Sequence, residues 1–157
     1  VMVAKGGHSL LQSNAIEALK TFIKKTNPIL TPNIPEAEIL TGIKINDVSD
    51  MKNAGEKIIE LGARSVVIKG GHLKSPVLTD ILINKKTIHK IESKKIITND
   101  THGTGCTMAS ALAAGLAKSF SIDVAFKDAH LFVNKAIKTA PNFGKGNGPI
   151  NHCHSIN

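Results

Sequence analysis

Six consecutive residues, Thr101-His102-Gly103-Thr104-Gly105-Cys106, put a thiol and two glycines where a long apolar segment begins. Residues 107–118 are almost all small or apolar and contain no proline, so they are expected to form a buried helix. The first turn of a helix leaves backbone N–H groups unpaired and carries a partial positive charge. Gly103 and Gly105 lack the Cβ that would hold an anion away from those amides. The same field favours the thiolate of a cysteine, which makes Cys106 a candidate proton acceptor. An anion-holding turn beside a base is the equipment of phosphoryl transfer to an alcohol. A helix start that uses glycine only for packing would show the same pattern, and the loop alone does not separate the two.

Two further clusters carry groups of the right kind. Lys69 ends the β-branched run Ser65-Val66-Val67-Ile68-Lys69, where an ammonium needs an anion partner or a path to the rim. A nucleotide phosphate is the natural partner. Asn33 and Glu36 stand three residues apart at the start of a short helix, a capping-box spacing that also brings an amide and a carboxylate together. Asp100 precedes the glycine turn, where capping and turn roles explain an aspartate equally well. His72 and His102 lie in glycine turns, where a local hydrogen bond is the common role. The pattern His152-Cys153-His154 suggests a metal, but alternation sends Cys153 to the opposite side and the other ligands of a structural zinc site are missing.

The elements that would position these groups can be read from periodicity. Residues 13–25 carry Ile16, Leu19, Phe22 and Ile23 at helical spacing, and Asn27-Pro28 ends the run. Residues 28–31 form a short β-prone run. Pro35 suits the first turn of a helix that Gly42 closes. Ser49 or Asp50 is expected to cap a helix running to Leu61, with Gly62 at its end. Residues 65–69 read as a buried parallel strand, and residues 77–83 and 87–91 as a β-hairpin around Asn84-Lys85-Lys86. A second long helix is expected over residues 124–139, followed by a glycine-rich, irregular tail over residues 142–149. The alternation predicts a doubly wound, mostly parallel α/β sheet with helices on both faces. The three polar clusters would then fall at the carboxyl ends of the strands, where such sheets bind ligands.

Composition limits the alternatives. The chain has 157 residues, 41% of them hydrophobic, which suits one domain with a respectable core. No run of 18 apolar residues is present, so no membrane helix is expected. No charged segment followed by an apolar one opens the chain, and the two cysteines are too few for a disulfide framework. A cytoplasmic location is the expectation. The net charge of +8 comes almost wholly from lysine, with Arg64 the single arginine and neither Trp nor Tyr present. Nucleic-acid recognition leans on arginine forks and aromatic platforms, so a solvated basic surface is the better reading.

The segments Thr-Pro-Asn-Ile-Pro-Glu-Ala-Glu at 31–38, Val-Ile-Lys-Gly-Gly-His at 67–72 and Thr-His-Gly-Thr-Gly-Cys at 101–106 resemble, in order, signatures of the hydroxymethylpyrimidine/phosphomethylpyrimidine kinases of thiamine biosynthesis. These belong to the ribokinase-like superfamily. Residues 1–7 look like that family's mid-chain segment and residues 144–152 like its tail. Most of the superfamily has aspartate where Cys106 stands, and cysteine there favours the pyrimidine kinases and a subset of pyridoxal kinases. The resemblance implies ATP-dependent phosphorylation of 4-amino-5-hydroxymethyl-2-methylpyrimidine and then of its monophosphate, with ATP and Mg²⁺ as cofactors. Cys106 would be the base, and Gly103, Thr104 and Gly105 with the Cys106 amide would form the anion hole. Thr101 and Lys69 would hold phosphate, and Asn33 and Glu36 would organise Mg²⁺ through its waters.

The family's chains are longer, by a stretch that would precede Val1 and hold most of the pyrimidine pocket. The chain is therefore expected to be a single ribokinase-like domain lacking its N-terminal part and inactive alone, with Val1 a remaining pyrimidine contact. A pyridoxal-type kinase and a non-catalytic nucleotide-binding remnant are the alternatives. Relatives often pair as homodimers.

Overall fold

The computed structural model describes residues 13–154, so the expectation for Val1 lies outside the described residues. The chain divides into two compact units, Val1–Ser93 and Lys94–Asn157.

In the first unit, helix α1 (Ser13–Thr26) places Ile23 in the core with Ile16 and Leu19 packed beside it, while Phe22 stays exposed. Strand β1 (Ile29–Leu30) follows. Helix α2 (Ile34–Thr41) starts at Asn33 and ends at Gly42, whose left-handed backbone (φ 74°) donates its N–H to the Glu38 carbonyl. Helix α3 (Val48–Glu60) buries Met51, Ala54, Gly55 and Ile58, one apolar stripe at helical spacing. Its N-cap is Asp47, not Ser49 or Asp50. The Asp50 N–H donates to Asp47 Oδ1 at 2.9 Å, while the Asp50 carboxylate accepts the Asn46 N–H at 2.9 Å. Two aspartates three residues apart thus serve opposite sides of one cap, and the earlier one starts the helix.

Strands β2 (Ser65–Lys69), β3 (Val77–Asn84) and β4 (Ile88–Lys94) complete a four-stranded sheet in the order β1-β2-β3-β4. The sheet is mixed: β1 runs parallel to β2, and β3 antiparallel to it. The hairpin between β3 and β4 closes with the Asn84 N–H donating to the Thr87 carbonyl, and β4 runs three residues past the expected end. Val66 and Ile68 of β2, with Ile81 and Ile83 of β3, join Met51, Ala54 and Ile58 in one core. Each fully buried Ile there is worth about 1.5–3 kcal/mol relative to exposure.

In the second unit, helix α4 (Thr104–Ala117) packs on helix α5 (Ile122–Lys138). Helix α5 starts two residues ahead of the expected position, capped by Ser121, which accepts the Val124 N–H. Gly115 lies against Ala125, so that even a methyl group at position 115 would crowd the Ala125 Cβ at 2.8 Å. Met108, Leu112, Phe126, Ala129, Val133 and Ile150 are buried apolar residues of this unit, as are Ala125 and Ala136.

Candidate functional site

The first unit gathers three of the expected residues through strand register and one helix cap. Ile29 pairs with Ser65 and Leu30 with Val66 in parallel. The same offset carried forward four residues makes Asn33 and Lys69 a single parallel bridge, with the Lys69 N–H donating to the Pro32 carbonyl at 3.1 Å. Asn33 is also the cap of α2. Its Oδ1 accepts the Glu36 N–H at 2.9 Å and its own N–H donates to Glu36 Oε2 at 2.9 Å. The capping box is therefore real, and it fixes a largely buried carboxylate beside the residue that bridges to Lys69. One carboxylate and one amide suit Mg²⁺, which keeps most of its waters and takes few protein ligands. The donor set fits that ion.

Behind Lys69 the chain turns into a single 3₁₀ turn, Gly70–His72. Gly70 packs so tightly on β3 that an added Cβ would overlap the Thr79 carbonyl oxygen. Its N–H donates to the buried Asp80 Oδ1 at 2.9 Å, and Asp80 is the register partner of Lys69. Sequence reasoning missed Asp80. Its signal was a lone carboxylate inside the apolar run Leu78 to Ile83, a place that strands disfavour.

The second unit holds the glycine turn. Gly103 is the N-cap of α4 and adopts φ 92°, a left-handed backbone that side chains strain to reach. The Thr101 carbonyl accepts from both the Thr104 N–H (3.4 Å) and its hydroxyl (3.1 Å). Side chains of Asn33, Asp47 and Ser121 cap α2, α3 and α5, but no side chain caps α4. Its leading amides meet no competing side-chain oxygen, and Cys106 stands exposed in that first turn as a free thiol.

The tail is irregular over residues 142–148, as expected, but its far end is tied to the glycine turn. The His102 N–H donates to the Gly148 carbonyl at 3.0 Å and the Ile150 N–H returns to the His102 carbonyl at 3.4 Å, with His102 and Pro149 forming a parallel bridge. Gly148 is pressed against Asp100 so closely that a Cβ would overlap the Asp100 carboxylate. That carboxylate is buried and lies 3.4 Å from the Thr98 hydroxyl, while the Asp100 N–H donates to the same hydroxyl at 3.1 Å. A cavity of about 430 Å³ opens between residues 98–100 and Asn142, Gly144, Lys145 and Gly146. It is an open cleft, and Lys145 brings to it a cation that the sequence did not single out.

The tail histidines go to different partners. His152 Nε2 is 2.8 Å from the Thr107 hydroxyl, whereas His154 reaches the Phe132 carbonyl at 3.1 Å and packs against the Phe132 ring at 4.4 Å, tilted by 51°. Among the described residues no group of three His, Cys, Asp or Glu side chains is placed to hold a metal.

The phosphomethylpyrimidine kinase family model matches residues 1–151. A hydroxymethylpyrimidine/phosphomethylpyrimidine kinase of Bacillus subtilis is 44% identical over 153 residues, covering 97% of this chain and 56% of that protein. The chain thus spans about half the length of several of the curated relatives it matches. The solved pyridoxal kinase of Staphylococcus aureus in complex with AMP-PCP superposes with a TM-score of 0.89 at 32% identity, over 99% of this chain and 56% of that one. The solved phosphomethylpyrimidine kinase of Clostridium difficile gives 0.73 at 40% identity, over 87% and 55%. With the ribokinase-like fold, the ordered motifs and a family match over nearly its whole length, the chain belongs to the phosphomethylpyrimidine kinase family, a family of phosphotransferases.

Proposed function

We propose that this chain supplies the nucleotide- and phosphoryl-handling residues of an ATP-dependent kinase for 4-amino-5-hydroxymethyl-2-methylpyrimidine and its monophosphate. The observation that carries the reading is the start of α4, where an exposed thiol sits in a glycine-opened helix turn that no side chain caps. In the first transfer, Cys106 Sγ takes the proton of the substrate's hydroxymethyl group as the oxygen attacks the γ-phosphorus. The bond to the bridging oxygen breaks and ADP leaves. The amides of residues 103–106 stabilise the charge that builds on the transferring group. In the second transfer the nucleophile is the substrate's phosphate, which needs no base, so Cys106 matters less there.

Lys69 and Thr101 hold nucleotide phosphates in this reading. Asn33 and Glu36 hold Mg²⁺ through its waters, and the ion supplies charge neutralisation on those phosphates when bound. A pyridoxal-type kinase is the second reading, favoured by the pyridoxal kinases among the similar solved structures. The no-membrane, no-nucleic-acid and cytoplasmic expectations belong to the same proposal, as does a homodimer. In the described residues no helix is long and apolar enough to cross a membrane.

The test is a transfer assay on the 157-residue chain beside a version extended upstream, offering the pyrimidine alcohol and pyridoxal in parallel. Preferred turnover of the pyrimidine by the extended version, with Mg-ATP bound by both, is the expected result. Preference for pyridoxal would move the assignment to the second reading. No nucleotide binding by either chain would overturn both.

A further inference from the structure

His152 stands 45 residues beyond Thr107, yet its Nε2 lies 2.8 Å from the Thr107 hydroxyl. That hydroxyl also lies 2.8 Å from the carbonyl of Gly103, the left-handed residue that opens α4. A hydroxyl has one proton to give. Both contacts are hydrogen bonds at once only if Thr107 donates to Gly103 and His152 Nε2 carries the proton donated to Thr107. The chain His152 to Thr107 to Gly103 then pulls in one direction and ends on the carbonyl of the turn itself. Thr107 is buried, so its oxygen has little recourse to water if the imidazole is removed. The His152 ring also lies beside the turn itself, since a Cβ on Gly103 would stand 4.0 Å from it, an ordinary contact. The same tail already grips the other side of the turn through the two backbone bonds at His102.

We infer that His152 is a positioning residue: through Thr107 it holds the Gly103 turn, and with it the first-turn amides and Cys106, in the conformation that receives a phosphoryl group. The inference rests on reading residues 103–106 as the phosphoryl-handling turn, but its test does not need ligand. His152 touches neither substrate nor nucleotide in this scheme. Its work is done before either arrives.

The experiment is amide hydrogen exchange on the 157-residue chain, with the alkylation rate of Cys106 by iodoacetamide as a second readout. His152→Ala should speed exchange at residues 103–107 by up to about tenfold, the scale of one net hydrogen bond, and alter Cys106 alkylation at least twofold. His152→Gln, which keeps an N–H at similar reach, should restore both values. Thr107→Val should reproduce the His152→Ala pattern, and the double variant should be no worse than either single one. The inference is overturned by exchange that rises evenly across α4 and α5, by failure of Gln to restore the turn, or by additive effects of the two single changes. If His152→Ala does not fold, Thr107→Val against the Thr107→Val, His152→Gln pair decides by the same criterion. A turn that behaves as expected while the chain binds no Mg-ATP would leave the positioning role standing and remove the kinase reading instead.

Discussion

Gly70 and Gly71 are neighbours in the turn that follows Lys69, and the structure assigns them opposite tolerances. A methyl group at Gly70 would overlap the Thr79 carbonyl oxygen, a backbone atom of β3 one residue beyond the Lys69–Asp80 pair that ends the β2–β3 ladder. At Gly71 the nearest heavy atom would be Leu78 Cδ1 at 3.9 Å, an ordinary contact. Neither glycine has a positive φ, so the difference is one of space. Because the obstacle at Gly70 is backbone, relief requires the strand end to move, and forced overpacking of this kind costs about 1–3 kcal/mol. For a chain of this size that is a fall in Tm of roughly 2–12 °C. Gly71→Ala should be neutral or stabilising by up to ~1 kcal/mol, because it removes freedom from the unfolded chain. The displaced strand end also carries Lys69 and the Gly70 N–H that Asp80 receives, so Gly70→Ala should weaken Mg-ATP binding beyond any loss of folded protein. Thermal denaturation followed by circular dichroism, with calorimetric titration of Mg-ATP below the transition, makes both measurements. Equal Tm values for the two variants would refute the packing argument, and a destabilised Gly70→Ala that binds nucleotide normally would refute the role given to Lys69.

Cys106→Ser in the upstream-extended chain should lower turnover of the pyrimidine alcohol by about 10²-fold, the scale of a lost general base, while binding of Mg-ATP changes little. Steady-state kinetics on both steps would check it, and near-normal turnover would make Cys106 structural. Glu36→Gln keeps the capping geometry, since glutamine serves at that position of the box, so Tm should hold while the magnesium requirement rises. A loss of Tm with unchanged magnesium dependence would return Glu36 to capping alone. Glu38 gives a pH prediction: burial pushes its carboxyl up, but the Ile45 amide and the Lys44 ammonium outweigh burial and hold it below its ordinary 4.5. A depressed folded-state value adds stability at pH above about 4.5 that is lost as pH falls through the lower value. Glu38→Gln should therefore be less stable than the parent at neutral pH and converge with it in acid, and a constant gap in urea midpoints down to pH 2–3 would contradict this.

Local pattern carried much of the architecture. The stripe Met51, Ala54, Gly55, Ile58 marks α3, and the β-branched run at residues 65–69 marks a strand buried from Ser65 to Ile68. Two apolar runs around Asn84-Lys85-Lys86 mark the hairpin. The cap of α3 was less legible because Asp47, Ser49 and Asp50 all have capping side chains, and only the path of the chain before the helix selects Asp47. Partnering was illegible for the same kind of reason. A run of buried β-branched residues does not state whether its neighbour is parallel, and β2 has one neighbour of each kind. The placements of Asn33 and Glu36 in a capping box, of Lys69 at a strand end and of Cys106 in a helix's first turn were readable from residue type and spacing. Asp80 and His152 were not, because each matters through a partner 10 and 45 residues away.

The tail's grip on the glycine turn also orders events during synthesis. Gly103 to Cys106 leave the ribosome well before Gly148, Ile150 and His152, which the turn needs on both of its sides. At about 5–20 residues per second, the 45 residues between Thr107 and His152 take roughly 2–9 s to appear. During that interval α4 and α5 can pair, but the turn at the head of α4 lacks its strap. A nascent chain that has not yet released residues 148–152 can thus form the helical pair while the glycine turn at the head of α4 still lacks those bonds.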